Sequence, residues 1–232
     1  MTTIYLVRHG QASFGAENYD QLSALGQQQA QVTGQYLQQL VPEAPYLLAG
    51  GLQRHLQTAQ AASSPHWQQI QLQQDQRWNE FNHEQIFSRF DPRFEQPDLL
   101  KQEIAQVGEP REYLAKIFTS AIERWTQSTD STEYDETWLN FQQRVQQALS
   151  QLTAQLIHTG QRHAVVFTSG GVISVAVGYV LGLNPKQIFE LNWAVANASI
   201  TTLRVSEQKL QLLSFNEHHF LKTHQGKLVT WL

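Results

Sequence analysis

Short unbroken apolar runs alternate along this chain with longer segments in which apolar residues recur every three or four positions. The first run, Ile4-Tyr5-Leu6-Val7, ends abruptly on Arg8, His9 and Gly10. Unbroken runs of this length suit strands buried on both faces, and the helical spacing suits segments with one inner stripe. Ala12 to Asp20 is a polar loop holding Ser13, Gly15 and Asn18. Ser23 can cap a helix carrying Leu25, Val32, Tyr36, Leu37 and Leu40, which Pro42 and Pro45 terminate. Tyr46 to Ala49 reads as a second strand, Gly50-Gly51 as a turn, and Leu52 to Ala59 as the start of a helix. Gln69 to Gln73 reads as a third strand despite its glutamines. This alternation implies parallel pairing through right-handed crossovers.

From Glu84 to Gln127 the pattern changes. Pro92, Pro97 and Pro110 punctuate short helical pieces, and Pro110 fits the first position of a helix with Tyr113, Leu114, Ile117, Phe118, Ala121, Ile122 and Trp125 along one side. The segment predicts no strand and reads as a helical insertion over the carboxyl edge of the sheet. Thr132 with Asp135 is expected to open a long helix bearing Trp138, Phe141, Val145, Leu149, Leu152 and Leu156. His163 to Thr168 is another buried strand, breaking at Ser169-Gly170-Gly171 into a helix apolar all round, which Gly182 and Pro185 stop. Ile200 to Val205 and Leu210 to Phe215 close the chain as a strand pair. The expected fold is a three-layer α/β/α sandwich around a mostly parallel sheet, a single domain over 1–232 with a helical cap at about 84–127.

Composition narrows the function. The 232 residues suffice for one substantial core, and 41% hydrophobic content with six Trp argues for a folded protein. A net charge of −4 gives no footprint for nucleic acid, and no basic run suggests a membrane surface. An anionic ligand must then be held by local cations in a pocket. With no Cys, disulfides, thiol catalysis and thiolate metal sites are excluded together. The chain enters a strand almost at once, without the charged and apolar stretches of a signal peptide, and no apolar run approaches a membrane span. A cytoplasmic location is the expectation.

Three strand-to-helix turns carry candidate chemistry: Arg8-His9-Gly10, the turn ahead of Arg54, and Ser169-Gly170-Gly171. Turns at the carboxyl ends of parallel strands share one crevice, and the helix starts beyond the Gly-rich turns offer N–H groups to an anion. Two arginines and a histidine there form a phosphate-binding arrangement, with the reaction left open. A strand end carrying a solvated Arg and His is the bland alternative for the first triplet.

Five ordered motifs add a resemblance. Leu6-Val7-Arg8-His9-Gly10-Gln11, the block Asp20 to Gly26 with Gln29-Ala30, Leu52 to Ala59, Trp78-Asn79-Glu80-Phe81, and the late pieces Gly170 to Ile173 and Asn197 to Thr201 resemble the histidine phosphatase superfamily, the phosphoglycerate-mutase-like proteins. The resemblance implies that His9 attacks phosphorus and becomes phosphohistidine, that Arg8 and Arg54 clamp the phosphoryl oxygens, and that Glu80 is the general acid and base. It implies substrate contacts from Gly10, Gln11, Ser13, Ser169 and Gly170, a small phosphorylated substrate or phosphate as partner, and neither metal nor cofactor. The expected activity is a metal-independent phosphatase for a small phosphate monoester.

Two positions depart from the family pattern. Ser169 stands where a second histidine is usual, and replacing an imidazolium by a neutral donor forfeits about 1–3 kcal/mol of transition-state stabilisation, roughly ten- to a hundredfold in rate. Ser169→His is therefore expected to raise the rate. His163, six strand residues earlier, is about 20 Å away, whereas His218, His219 and His224 fall in a terminal segment. Gly15 replaces a common asparagine, which weakens kinship with the glycolytic mutases. The alternatives are a degenerate member that binds a phosphorylated ligand or protein with little turnover, and a phosphomutase. A serine hydrolase built on Ser169 lacks the G-x-S-x-G setting.

Overall fold

The computed structural model describes residues 2–13, 20–63, 67–96, 106–206, 209–223 and 227–231. Gly15, Asn18, Pro97, His224 and the side chain of Leu114 lie outside the described residues. Six strands form one sheet: β1 (Thr2–Arg8), β2 (Tyr46–Ala49), β3 (Gln73–Gln74), β4 (His163–Thr168), β5 (Ile200–Val205) and β6 (Leu210–Glu217), in the order β3-β2-β4-β1-β5-β6. The pairs β3–β2, β2–β4 and β4–β1 are parallel, and β5 alone runs against its neighbours. The α-helices are α1 (Ala24–Leu40), α2 (Gln53–Ser63), α3 (His83–Phe90), α4 (Pro110–Gln127), α5 (Trp138–Thr159), α6 (Gly170–Leu181) and α7 (Pro185–Ala194).

Strand alternation sorts the core onto two faces. Tyr5, Val7, Leu47, Ala49, Val165 and Phe167 point to one side and pack with Leu37 of α1 and with Ala59 and Ala62 of α2. Ile4, Leu6, Ala164 and Val166 point to the other side and are wholly buried as well, so helices cover both faces. On that second side Leu48 borders a hollow of about 400 Å³ with Ala148 and Leu152 of α5. This is the α/β sandwich the sequence predicts.

The local readings meet different fates. Ser23 caps α1 by accepting from the Gly26 N–H at 3.0 Å, Pro110 opens α4, and α6 stops before Gly182. The third strand is two residues, Gln73–Gln74; Gln69 and Ile70 instead lie in a turn, with the Ile70 N–H donating to the Trp67 carbonyl at 3.0 Å. The long helix opens at Trp138 rather than near Thr132. Thr137 caps it, its Oγ1 accepting from the Asn140 N–H at 3.2 Å, while Thr132 closes a local turn on Asp130. Both residue types favour caps and turns equally, and only the tertiary setting selects between them.

The chain divides into two compact units, residues 1–80 with 145–232, and residues 81–144. The second unit has an aromatic centre of its own. Phe81, Trp138 and Phe141 surround Trp125, whose Nε1 donates to the Glu136 carbonyl at 2.9 Å. Its described residues contain no strand.

Phe167 is wholly buried at the middle of the sheet. Phe167→Ala is expected to destabilise the fold by about 3–5 kcal/mol, read as a lowered urea midpoint at unchanged slope.

Candidate active site

Register brings the chemistry together. Arg8 on β1 lies opposite Thr168 on β4, and Ala49 on β2 lies opposite Phe167, so three parallel strands end nearly level. The next residues, His9, Ser169 and Gly50, therefore emerge side by side. The His9 N–H donates to the Thr168 carbonyl at 2.9 Å and the Gly50 N–H to the Phe167 carbonyl at 3.0 Å. The His9 carbonyl accepts from the Ala198 N–H at 3.1 Å, which ties the loop before β5 to the same point.

His9 is 6% exposed. Its Nδ1 lies 2.7 Å from the carbonyl oxygen of Gly10. That oxygen can only accept, so Nδ1 carries the proton and Nε2 keeps its lone pair. Burial holds the ring well below the ordinary imidazole range, and the charges of Arg54 and Arg8 lower it further. The ring is thus an uncharged base with one nitrogen available.

The two arginines are fixed by different means. Arg8 donates through Nη1 to the carbonyls of Val195 and, at 3.0 Å, of Trp231. Arg54, in the first turn of α2, donates through Nη1 to Asp20 at 2.7 Å, and the other Asp20 oxygen accepts from the Gln53 N–H at 2.8 Å. One carboxylate therefore caps α2 and aligns its arginine. Glu80 reaches the start of α6, where its Oε2 accepts from the Gly171 N–H at 3.0 Å.

The residues expected to contact substrate have defined surroundings. The Gly10 N–H donates to Thr58 Oγ1 at 3.1 Å, and the Gln11 N–H donates to Gln29 Oε1 at 2.7 Å. The first turn needs glycine because a Cβ on Gly10 would lie 2.3 Å from the Gly26 carbonyl oxygen. Ser13 donates its N–H to the Gln21 carbonyl at 2.7 Å. Gly170 lies against Arg8, its Cβ position 3.6 Å from Arg8 Nε. His163 stands at the opposite end of β4, and His218 is turned toward the Asn216 carbonyl, 2.6 Å away, with its ring edge-on to Trp231. Among the described residues no His, Asp and Glu side chains cluster as metal ligands.

One residue that sequence reasoning passed over belongs to this group. His55 is wholly buried, its ring centre is 5.7 Å from that of His9, and its Nε2 is 2.6 Å from Ser169 Oγ. Its signal was present in the pattern: 55, 58, 59 and 62 form the inner stripe of α2, on which a histidine needs a polar partner. Burial and the Arg54 charge hold its ring well below the ordinary imidazole range.

The family model described as histidine phosphatase superfamily (branch 1) matches residues 4–218. The chain belongs to that superfamily. Among curated proteins none matches. Solved structures share the fold at low identity. A phosphoglycerate mutase from Bacillus anthracis str. Sterne has TM-score 0.65 at 17% identity, over 94% of each chain. The alpha-ribazole phosphatase from Shigella flexneri has TM-score 0.61 at 17% identity, over 93% of this chain and 96% of its own. A phosphoserine phosphatase from Entamoeba histolytica, in complex with 3-phosphoglyceric acid, has TM-score 0.61 at 18% identity, over 95% and 99%. No helix among the described residues is long and apolar enough to cross a membrane.

Two predictions follow from the paired rings. Both are held neutral when folded but titrate near the ordinary imidazole value when unfolded, so protons favour the unfolded chain below that value. Stability should be full above about pH 6.5 and fall as pH drops beneath it, by about 1.4 kcal/mol per pH unit for each ring, with His55→Gln removing one share of the slope in urea titrations. The 2.6 Å separation also leaves no room for a second ring at 169. Ser169→His alone should therefore lose activity or stability, contrary to the gain expected from sequence, and adding His55→Ala should recover it in the same assays.

Proposed function

We propose that this protein is a metal-independent phosphatase for a small phosphate monoester, working through a phosphohistidine on His9. The observation that carries the reading is the His9 ring itself, with Nδ1 engaged by the Gly10 carbonyl and its charge suppressed by burial beside two guanidinium groups. Such a ring holds its Nε2 lone pair ready while the cations attract a phosphate dianion. The superfamily assignment and the fold shared with phosphatases support the same reading.

In the proposed step the Nε2 lone pair forms an N–P bond as the ester P–O bond breaks, with the attacking nitrogen and the leaving oxygen in line. Arg8 and Arg54 hold the non-bridging oxygens through charge-assisted hydrogen bonds. Glu80, at the start of α6, supplies a proton to the leaving alkoxide. A water then gives one of its own protons to the Glu80 carboxylate and attacks phosphorus, breaking the N–P bond and releasing His9 with orthophosphate. Gly170, beside Arg8, and Ser169 contact the phosphoryl oxygens in this reading.

A second reading, binding of a phosphorylated ligand with little turnover, draws on the neutral Ser169 at a place where the family pattern has a histidine. The two separate in one assay. His9→Ala should abolish hydrolysis of an aryl phosphate, and acid quenching of the wild type should trap an acid-labile phosphoenzyme. Unchanged turnover by His9→Ala would end the first reading, and undetectable turnover by pure wild type with tight orthophosphate binding would favour the second.

A further inference from the structure

We propose that His55 and Ser169 form a two-membered donor chain, in which His55 Nε2–H donates to Ser169 Oγ and the Ser169 hydroxyl donates to the bound phosphoryl group. His55 is a positioning residue in this scheme, and Ser169 makes the contact. The proposal rests on the phosphate-binding reading of the site, and it concerns how a chain without a histidine at 169 completes its anion cradle.

Three observations carry it. The first is the contact, a 2.6 Å approach between two wholly buried side chains. The second is the proton's place on the ring. His55 Nδ1 is buried without a hydrogen-bond partner, pressed against the backbone of Gly50, where a Cβ would come within 2.3 Å of it. A buried N–H left without an acceptor is much rarer than a bare lone pair, so the proton sits on Nε2 and points at Ser169. The third is what Ser169 does not do. It occupies the N-cap position of α6, where a serine oxygen ordinarily accepts from a helix N–H, yet it makes no such bond. Glu80 takes an N–H of that first turn instead, from Gly171. The serine oxygen is turned to His55, and accepting there leaves its own O–H to donate. Its only partner among the described residues is that ring.

The arrangement has a physical rationale. A hydroxyl that accepts one hydrogen bond becomes a better donor for the next, because each bond polarises its neighbour. The effect is larger in a buried site than in water. A neutral ring placed behind a serine thus strengthens the serine's grip without adding a third cation beside His9, whose lone pair must stay unprotonated. His9 and His55 are packed 5.7 Å apart between centres, too close for both to carry charge comfortably.

The test uses inorganic phosphate as the probe, titrated calorimetrically against the full chain above the imidazole range, so that no turnover is required. Ser169→Ala and His55→Ala should each weaken orthophosphate about tenfold, the size of one lost hydrogen bond to an anion, and the double variant should be no weaker than either. His55→Gln, whose side-chain N–H can reach the same oxygen, should restore most of the affinity, which a mere packing role would not do. Melting temperatures separate folding from binding, and the Ser169→Ala and His55→Gln arms remain informative if His55→Ala does not fold. Unchanged affinity in Ser169→Ala would overturn the proposal. So would a double variant losing the product of the two factors, or a His55→Gln variant no better than His55→Ala. The broader phosphatase reading fails separately, through unaltered hydrolysis in His9→Ala.

Discussion

The arrangement depends on keeping one imidazole uncharged beside two guanidinium groups. A histidine in water would be partly protonated near neutrality, and a protonated ring cannot attack. Here burial removes the stabilisation that water gives the cation, and Arg54 and Arg8 add repulsion, so the free base is favoured. The Gly10 carbonyl then decides which nitrogen keeps the proton. These effects need the ring anchored, and its backbone is held from both sides by Thr168 and Ala198. The sheet register supplies that anchoring, since it puts the ends of β1 and β4 at the same height.

Around this centre the protein buries a set of polar side chains. Gln29, Thr33, His55, Thr58, Ser169 and Asn197 are all essentially inaccessible to solvent. Their bonds form a connected scaffold. Gln29 takes the Gln11 N–H and gives its own amide protons to Leu228 and Thr230, while Thr230 donates to Asn197 at 2.8 Å. Thr58 bridges the Arg54 carbonyl and the Gly10 N–H. An apolar core would be easier to fill, but it could not hold donors and acceptors at fixed angles. The apolar packing beneath, from Val7, Ala49 and Phe167, supplies the rigidity on which that polar layer rests.

Much of this was legible in the sequence, because local rules and tertiary demands agreed. Ser23 before a helical stripe, proline at the head of α4, and the buried runs of β1 and β4 each signal one outcome, and each occurs. The motif residues Arg8, His9, Arg54, Glu80 and Ser169 come to adjoining strand and helix ends for the same reason. Elsewhere local rules were indifferent. Glutamine-rich residues 69–74 have no strong preference, and only the two that meet β2 become strand. Thr132 and Thr137 are both competent caps. His55 has no role of its own in the block from Leu52 to Ala59, and its place on the inner stripe gains meaning only from the oxygen of Ser169, 114 residues away, which faces it.

The grip on Arg8 reaches far along the chain. Its guanidinium is held by carbonyls from residue 195, at the end of α7, and from residue 231, in a segment without regular secondary structure. That segment is also stitched to Gln29 and Asn197. The orientation of the Arg8 guanidinium is thus held in part by a peripheral stretch of backbone, as a bridge on a violin is held by strings anchored well away from it. Whatever loosens residues 227–231, a protease or a neighbouring molecule, would detune the centre without touching any side chain in it.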